Sequence, residues 1–177
     1  MALNLKIKSV IRDIPDYPKP GVVFKDIAPV LANPELMEEI VDAQISHWKD
    51  VHIDAVAAIE ARGFIVGSIL AYRLKCPFIL VRKLGKLPYR TVSQEYSLEY
   101  GTSAIEMHVD AVRPGMNVLV HDDLLATGGT AAATGELIRK LGGDVAGFSF
   151  VINLSFLPGA GYLKNKFNKN PFFLTEY

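Results

Sequence analysis

The segment Asp122-Asp123-Leu124-Leu125-Ala126-Thr127-Gly128-Gly129-Thr130 joins two adjacent acids to a run of small and hydroxylated residues, directly after the apolar stretch Val118-Leu119-Val120. Small residues let a backbone curl around an anion with its N–H groups turned inward. A helix starting at Thr130 adds roughly half a positive charge at its N-terminus. Thr127 and Thr130 supply hydroxyl donors, so a 5'-phosphate fits a cradle made of Ala126, Thr127, Gly128, Gly129 and Thr130. The two acids disfavour phosphate itself, but carboxylates accept hydrogen bonds from vicinal ribose hydroxyls and help hold a metal that a ligand already carries. The plainer reading is an acidic turn before a Thr-capped helix. A Walker loop is excluded because no Gly-Lys-Ser or Gly-Lys-Thr follows, and the chain has no Gly-x-Gly-x-x-Gly fingerprint.

Cations stand in two further places. Arg62 follows Glu60-Ala61 and precedes Gly63, where a glycine lets backbone N–H groups approach a ligand closely. An arginine at a strand end can grip phosphate oxygens bidentately. The alternative, a solvated arginine at a helix start, is electrostatically unfavourable. Arg82, Lys83 and Lys86 form a cluster without local acids after the apolar run Phe78–Val81. It is either a solvated face or a second anion site, for a pyrophosphate. The stretch Pro88–Gly101 is polar, with Thr91, Ser93, Gln94 and Ser97, and reads as a mobile lid that excludes water from a reactive intermediate. The four histidines, His47, His52, His108 and His121, share no ligand spacing, and the single cysteine, Cys76, sits among apolar neighbours. The expectation is a buried thiol and no metal held by the protein alone.

These groups need a scaffold, and the hydrophobic pattern supplies one. Leu3–Ile14 reads as an amphipathic helix, after which Pro15, Pro18, Pro20 and Gly21 impose an extended passage into Val22-Val23-Phe24. Asn33 caps a helix with Pro34 in its first turn and an apolar stripe of Leu36, Met37, Ile40, Val41 and Trp48. Strands at Asp54–Ile59 and Phe78–Val81 enclose a helix over Phe64–Leu74, a βαβ unit. A strand over Asn117–His121, a helix over Thr130–Leu141 closed by Gly142-Gly143 and a strand over Val145–Leu154 complete the series. The alternation predicts an α/β fold with a mainly parallel sheet flanked by helices. In such sheets ligands collect at the carboxyl ends of the strands, at residues 60–63, 82–101 and 122–130.

The chain of 177 residues is read as one domain, 1–177. Its 19 Lys plus Arg balance 19 Asp plus Glu, so no overall field collects nucleic acid or anionic membrane, and neither is expected as a partner. Lys6, Lys8, Arg12 and Asp13 break up the N-terminal segment, which therefore lacks a signal peptide pattern, and cytoplasm is the expected compartment. The uncharged stretch Val145–Leu163 contains Asn153, Pro158 and three glycines, so a strand and loop are expected there rather than a membrane helix.

Val118 to Thr130 resembles the phosphoribosyl pyrophosphate (PRPP) motif of the type I phosphoribosyltransferases, in the wording of members that act on adenine. Pro20-Gly21-Val22-Val23-Phe24-Lys25-Asp26-Ile27, Glu60-Ala61-Arg62-Gly63-Phe64, Arg82 to Pro88 and Tyr96 to Gly101 agree with that family. Together these segments run from about residue 15 to residue 155, and residues 156–177 carry no motif. The resemblance implies a small N-terminal base-binding hood over residues 1–33, a core over 34–155, a C-terminal segment over 156–177 and a mobile lid loop. It implies transfer of 5-phosphoribosyl from PRPP to adenine through an oxocarbenium-like transition state, with Mg2+ arriving on PRPP and a homodimer as the working unit.

The resemblance also distributes roles. Asp122 and Asp123 would hold the ribose, and Ala126 to Thr130 its 5'-phosphate. Glu60, Ala61, Arg62, Arg82, Lys83 and Lys86 would bind pyrophosphate, with a cis non-proline bond before the arginine and Arg82 reaching into the neighbouring subunit. Val23, Phe24 and Lys25 would read adenine. Glu99, with Tyr100 beside it, would accept the proton near N7, which favours attack by N9. On the residues alone, the alternatives are a surface glutamate on a hairpin for Glu99 and core residues for Val23 and Phe24. Lys25 departs from the arginine common in the family, and His121 from the usual aliphatic residue. A PRPP-sensing regulator and a 6-oxopurine enzyme are the competing readings; Glu99 argues against the first and the wording Tyr96–Gly101 against the second.

Overall fold

The computed structural model describes residues 1–97 and 102–177. Its elements, in chain order, are α1 (Leu3–Val10), β1 (Arg12–Pro15), β2 (Val23–Asp26), α2 (Ala28–Leu31), α3 (Pro34–Trp48), β3 (Ala55–Ile59), α4 (Gly63–Leu74), β4 (Phe78–Lys83), β5 (Thr91–Ser97), β6 (Thr102–His108), β7 (Asn117–Leu125), α5 (Gly129–Lys140), β8 (Asp144–Asn153), α6 (Gly159–Phe167) and β9 (Phe172–Glu176). Seven strands form one sheet in the order β5-β6-β4-β3-β7-β8-β9, and β1 and β2 form a separate antiparallel pair. The pairings from β4 through β3, β7 and β8 to β9 are parallel, while β6 runs antiparallel to both β4 and β5. The expected α/β fold with a mainly parallel sheet is what forms.

Strand alternation divides the core. Ala55, Ala57, Ile59, Val118 and Val120 face α5 and α6 with Leu137, Ile138 and Leu163. Val56 and Leu119 face α3 and α4 with Ile40, Trp48, Val66 and Leu70. The central strands are covered on both sides, which is why they read as apolar runs rather than alternating ones. Asn33 caps α3 as its sequence predicts, its Oδ1 accepting the Leu36 N–H at 3.1 Å. Asp54 fixes the start of β3 against β7: its Oδ2 accepts the Asn117 N–H at 2.8 Å, and its own N–H donates to the Asn117 carbonyl at 2.8 Å.

Three boundaries differ from those read in the sequence. The first helix ends at Val10, not Ile14, because Arg12–Pro15 pairs with Val23–Asp26 and an Arg12–Asp26 ion pair at 2.8 Å closes that ladder. Strand β7 runs on past His121 to Leu125, so Asp122 and Asp123 lie in the strand and not in the loop after it. Of the predicted lid, Thr91–Ser97 is a regular strand paired along its length with Thr102–His108. Residues 156–177, blank in motif, supply both a helix and an edge strand of the sheet. Among the described residues, no helix is long and apolar enough to cross a membrane.

One buried polar group stands out beneath β7. His121 is fully buried on the α4 side, where a side chain on Gly67 would strike both Ala58 and the imidazole. Neither ring nitrogen makes a hydrogen bond of good geometry. Burial pushes its pKa down to about 3, with the Ser149 backbone opposing. As pH falls from roughly 6.5 towards 3, the unfolded chain takes up a proton that the fold refuses, and stability declines by about 1.4 kcal/mol per pH unit; above pH ~6.5 the contribution is fully present. His121→Val is expected to lose about 2 kcal/mol less than the wild type when urea unfolding is compared at pH 7.5 and pH 4.5. Equal losses in the two proteins would show that this imidazole is not what the acid titrates.

Candidate functional site

The carboxyl ends of β3 and β7 lie side by side, with Ala58 opposite His121 in parallel register. Chain direction therefore delivers the Glu60–Gly63 loop and the two acids to one spot. Arg62 Nε lies 3.0 Å from Asp123 Oδ2. The angle of this contact falls short of a directed hydrogen bond, so the attraction is chiefly coulombic. The same guanidinium donates through Nη1 to the Lys25 carbonyl at 3.2 Å and lies 4.8 Å from the Phe24 ring centre. One arginine thus joins the acids of β7 to the N-terminal hairpin.

The acids are distinguished by their surroundings. Asp122 Oδ1 accepts the Asp123 N–H at 2.9 Å. Burial, followed by the neighbouring Asp123 charge, holds the Asp122 carboxyl well above the usual carboxylate range. Burial also raises Asp123, but Arg62 opposes that rise. Gly63 is required for a reason the sequence did not reveal: a Cβ there would lie 2.8 Å from Asp122 Oδ1.

Past the acids, Gly128 turns the chain in the left-handed conformation at φ +81° and α5 begins at Gly129 without a side-chain cap. The first N–H groups of a helix have no partner within it. This helix start borders a cavity of about 80 Å³ whose lining includes Asp122, Ala126, Thr127, Gly129 and Thr130. Asp122 and Thr130 also line a neighbouring cavity of about 150 Å³ with Glu60, Arg82, Lys83 and Tyr96. Of the sequence-predicted residues, Asp122, Ala126 to Thr130, Glu60, Arg82 and Lys83 line these two adjoining hollows, whereas Asp123, Ala61, Arg62 and Lys86 line neither. Lys86 lies on the turn after β4; among the described residues neither it nor Lys83 has an ion-pair partner.

Arg82 donates from Nε to Glu60 Oε2 at 2.6 Å and from Nη1 to the Lys86 carbonyl at 2.8 Å. Other predicted features sit differently from expectation. The cis non-proline bond in the loop is Glu60–Ala61, one residue earlier than the bond before the arginine. Lys25 turns away from Phe24, as alternation along β2 requires. Its ammonium is buried against Asp13 at 2.6 Å and lies 3.9 Å from the Tyr177 ring centre, so its carbonyl and not its side chain faces Arg62. Val23 is half exposed and Phe24 half-buried, so neither is a core residue. Glu99 and Tyr100 lie outside the described residues. Cys76 is half-buried, and burial raises its thiol pKa, in keeping with a structural role.

Comparison with known proteins agrees with this geometry. The model of the phosphoribosyl transferase domain matches residues 28–166. A protein of Acidothermus cellulolyticus named adenine phosphoribosyltransferase is 56% identical over 153 residues, covering 86% of each chain. The crystal structure of adenine phosphoribosyltransferase from Thermoanaerobacter pseudethanolicus superposes with a TM-score of 0.94 at 44% identity, covering 98% of this chain and 99% of the other. The Saccharomyces cerevisiae enzyme of the same name, complexed with an imino-altritol bisphosphate and adenine, gives 0.88 at 36% identity, covering 97% and 98%. The chain belongs to the phosphoribosyltransferase family, in its adenine phosphoribosyltransferase branch.

Sequence reasoning missed the floor of the phosphate loop. Gly159, at the start of α6, donates its N–H to the Ala126 carbonyl at 3.1 Å, and a Cβ on it would collide with that same oxygen. Gly128 in turn packs on the Gly159 backbone and Tyr162. The dipeptide Pro158-Gly159 signals only a turn, and nothing local links it to a loop thirty residues earlier. Alanine at a helix start is ordinarily favoured over glycine by up to about 1 kcal/mol. Against that trend, Gly159→Ala is expected to weaken ribose 5-phosphate binding about tenfold by calorimetry. Unchanged affinity would show that the loop does not rest on this glycine.

Proposed function

We propose that the chain transfers the 5-phosphoribosyl group of PRPP to N9 of adenine, giving AMP and pyrophosphate. The observation that carries this reading is the Arg62–Asp123 contact of 3.0 Å, which gathers an anion cradle, paired acids, a cationic strand end and an aromatic ring around one point. The phosphate loop takes the 5'-phosphate on the uncapped N-terminus of α5. Asp122 and Asp123 accept hydrogen bonds from the ribose 2- and 3-hydroxyls. Arg62, Arg82, Lys83 and Lys86, with the backbone of Glu60 and Ala61, take the pyrophosphate. The C1'–O bond to pyrophosphate breaks as N9 approaches, and the positive charge spreads over the ring in an oxocarbenium-like transition state. Glu99 accepts the N7 proton as the base becomes cationic, with Tyr100 at its side in the lid. Phe24 stacks on the base and the backbone at Val23 and Lys25 reads its edge; together they form the hood within residues 1–33.

Mg2+ enters this scheme on the pyrophosphate. Among the described residues no three His, Cys, Asp or Glu side chains converge to hold an ion by themselves. The donor set fits an ion shared between substrate oxygens and one or two carboxylates, here Asp122 and Asp123. When bound, the ion neutralises charge that develops on the departing pyrophosphate. The working unit is a cytoplasmic homodimer, supported by an outward apolar stripe of Ile65, Ile69 and Tyr72 on α4, with Tyr72 81% exposed. Ile69→Glu is expected to convert the dimer into monomer in sedimentation velocity runs; a wild-type monomer would refute the stripe as an interface.

The decisive test offers adenine, hypoxanthine and guanine separately with PRPP and Mg2+. AMP from adenine alone, with equimolar pyrophosphate, is the expected result. IMP or GMP would overturn the base assignment, and PRPP binding without product would point to a regulator. Glu99→Ala is expected to lower kcat by 10²–10⁴-fold with little change in PRPP affinity, as loss of a general base does. Asp122→Asn with Asp123→Asn is expected chiefly to weaken PRPP binding, and wild-type affinity in that double variant would sink the ribose role.

A further inference from the structure

We infer that Glu106, outside the two hollows, is a positioning residue that shapes the cationic turn for pyrophosphate; this rests on the reaction proposed above. Glu106 lies on β6, directly opposite Arg82 across the antiparallel β4–β6 pair and opposite Ser93 on its other side. It is only 3% exposed, yet it forms no ion pair with Arg82 or any other described cation. Its Oε1 instead accepts the N–H groups of Lys86 and Leu87, both at 2.8 Å, and its Oε2 accepts the Thr91 hydroxyl at 3.1 Å. Burial pushes the carboxyl pKa up, but the hydrogen bonds from Leu87, Thr91, Gly85 and Lys86 outweigh it and leave the group below its usual value. The side chain is a buried anion stabilised by uncharged donors.

That arrangement holds the turn from both sides. The Lys86 N–H is fixed by Glu106, while the Lys86 carbonyl accepts from Arg82, whose other branch is fixed by Glu60. Gly85 makes the reversal possible at φ +80°. An anion opposite an arginine in a sheet ordinarily pairs with it and cancels its charge. Here the turn amides occupy Glu106, so Arg82 shares its charge with Glu60 alone and remains beside the larger hollow with Lys83. Glu106 thereby sets where Lys86 leaves the turn and, through Thr91, where strand β5 begins.

Pyrophosphate is expected to feel this anchor and AMP is not, because AMP draws on the α5 loop, the acids and the hood. In calorimetry on folded protein, Glu106→Ala is expected to weaken pyrophosphate at least tenfold while AMP affinity stays within twofold. Glu106→Gln keeps a carbonyl oxygen for the turn amides, and its pyrophosphate loss is expected to be about threefold. Should the alanine variant fail to fold, the glutamine variant decides by the same comparison. Equal losses for both ligands, or no loss for pyrophosphate, would overturn the assignment. The comparison reads affinity and not turnover, so it fails separately from the reaction, which the wild-type product assay reads on its own.

Discussion

The contact between Arg62 and Asp123 is the junction on which the candidate site depends. Asp123 is nearly inaccessible and sits beside a second carboxyl, a combination that water would ordinarily be needed to stabilise. Arg62 replaces that water. Removing one member of a pair that is this buried generally costs more than the pair itself contributes, because a charge is left without compensation. The guanidinium also links Asp123 to the Phe24–Lys25 strand through a single side chain. Position follows from this: β3 and β7 must be adjacent and parallel for the arginine to reach, and their register is pinned from below by Asp54 and Asn117.

From that junction the site spreads in layers. The phosphate loop owes its shape to a left-handed glycine and to a second glycine from α6 beneath it. The cationic turn owes its shape to a carboxylate that bonds to amides instead of to cations. The β1–β2 hairpin is held by the buried Lys25 ammonium between Asp13 and the Tyr177 ring. In each case a segment near the site is held by groups that lie behind it, as a rigid binding geometry requires.

Much of this was legible in the residues. Apolar runs bounded by turn signals located the parallel strands, and Asn33-Pro34 located the start of α3 because capping chemistry is local. The small-residue turn from β7 into α5 was legible because small residues after a strand are a local signature as well. What escaped reading was non-local. Arg12–Pro15 continued a helical pattern, and only pairing with Val23–Asp26 turned it into strand. Lys25 was placed near the base by its neighbours in sequence, whereas strand alternation and an aromatic ring 152 positions away decided its direction. Gly159 and Glu106 carried no motif, since their partners are carbonyls and amides, which every residue possesses.

The dependence of the phosphate loop on α6, and of Lys25 on Tyr177, has a bearing on how the protein comes into being. Chains emerge from the ribosome at about 5–20 residues per second, N-terminal part first. The acids, the arginine and the loop are all synthesised before the helix and edge strand that brace them. Parallel pairing of β9 with β8 joins residues brought together only by a crossover, a step that is slow by nature. The nascent polypeptide therefore holds its recognition groups for some time without the support that orders them. The groups of the candidate site thus gain their bracing after they are made, and any ligand they bind adds its binding free energy to the folded state as a whole.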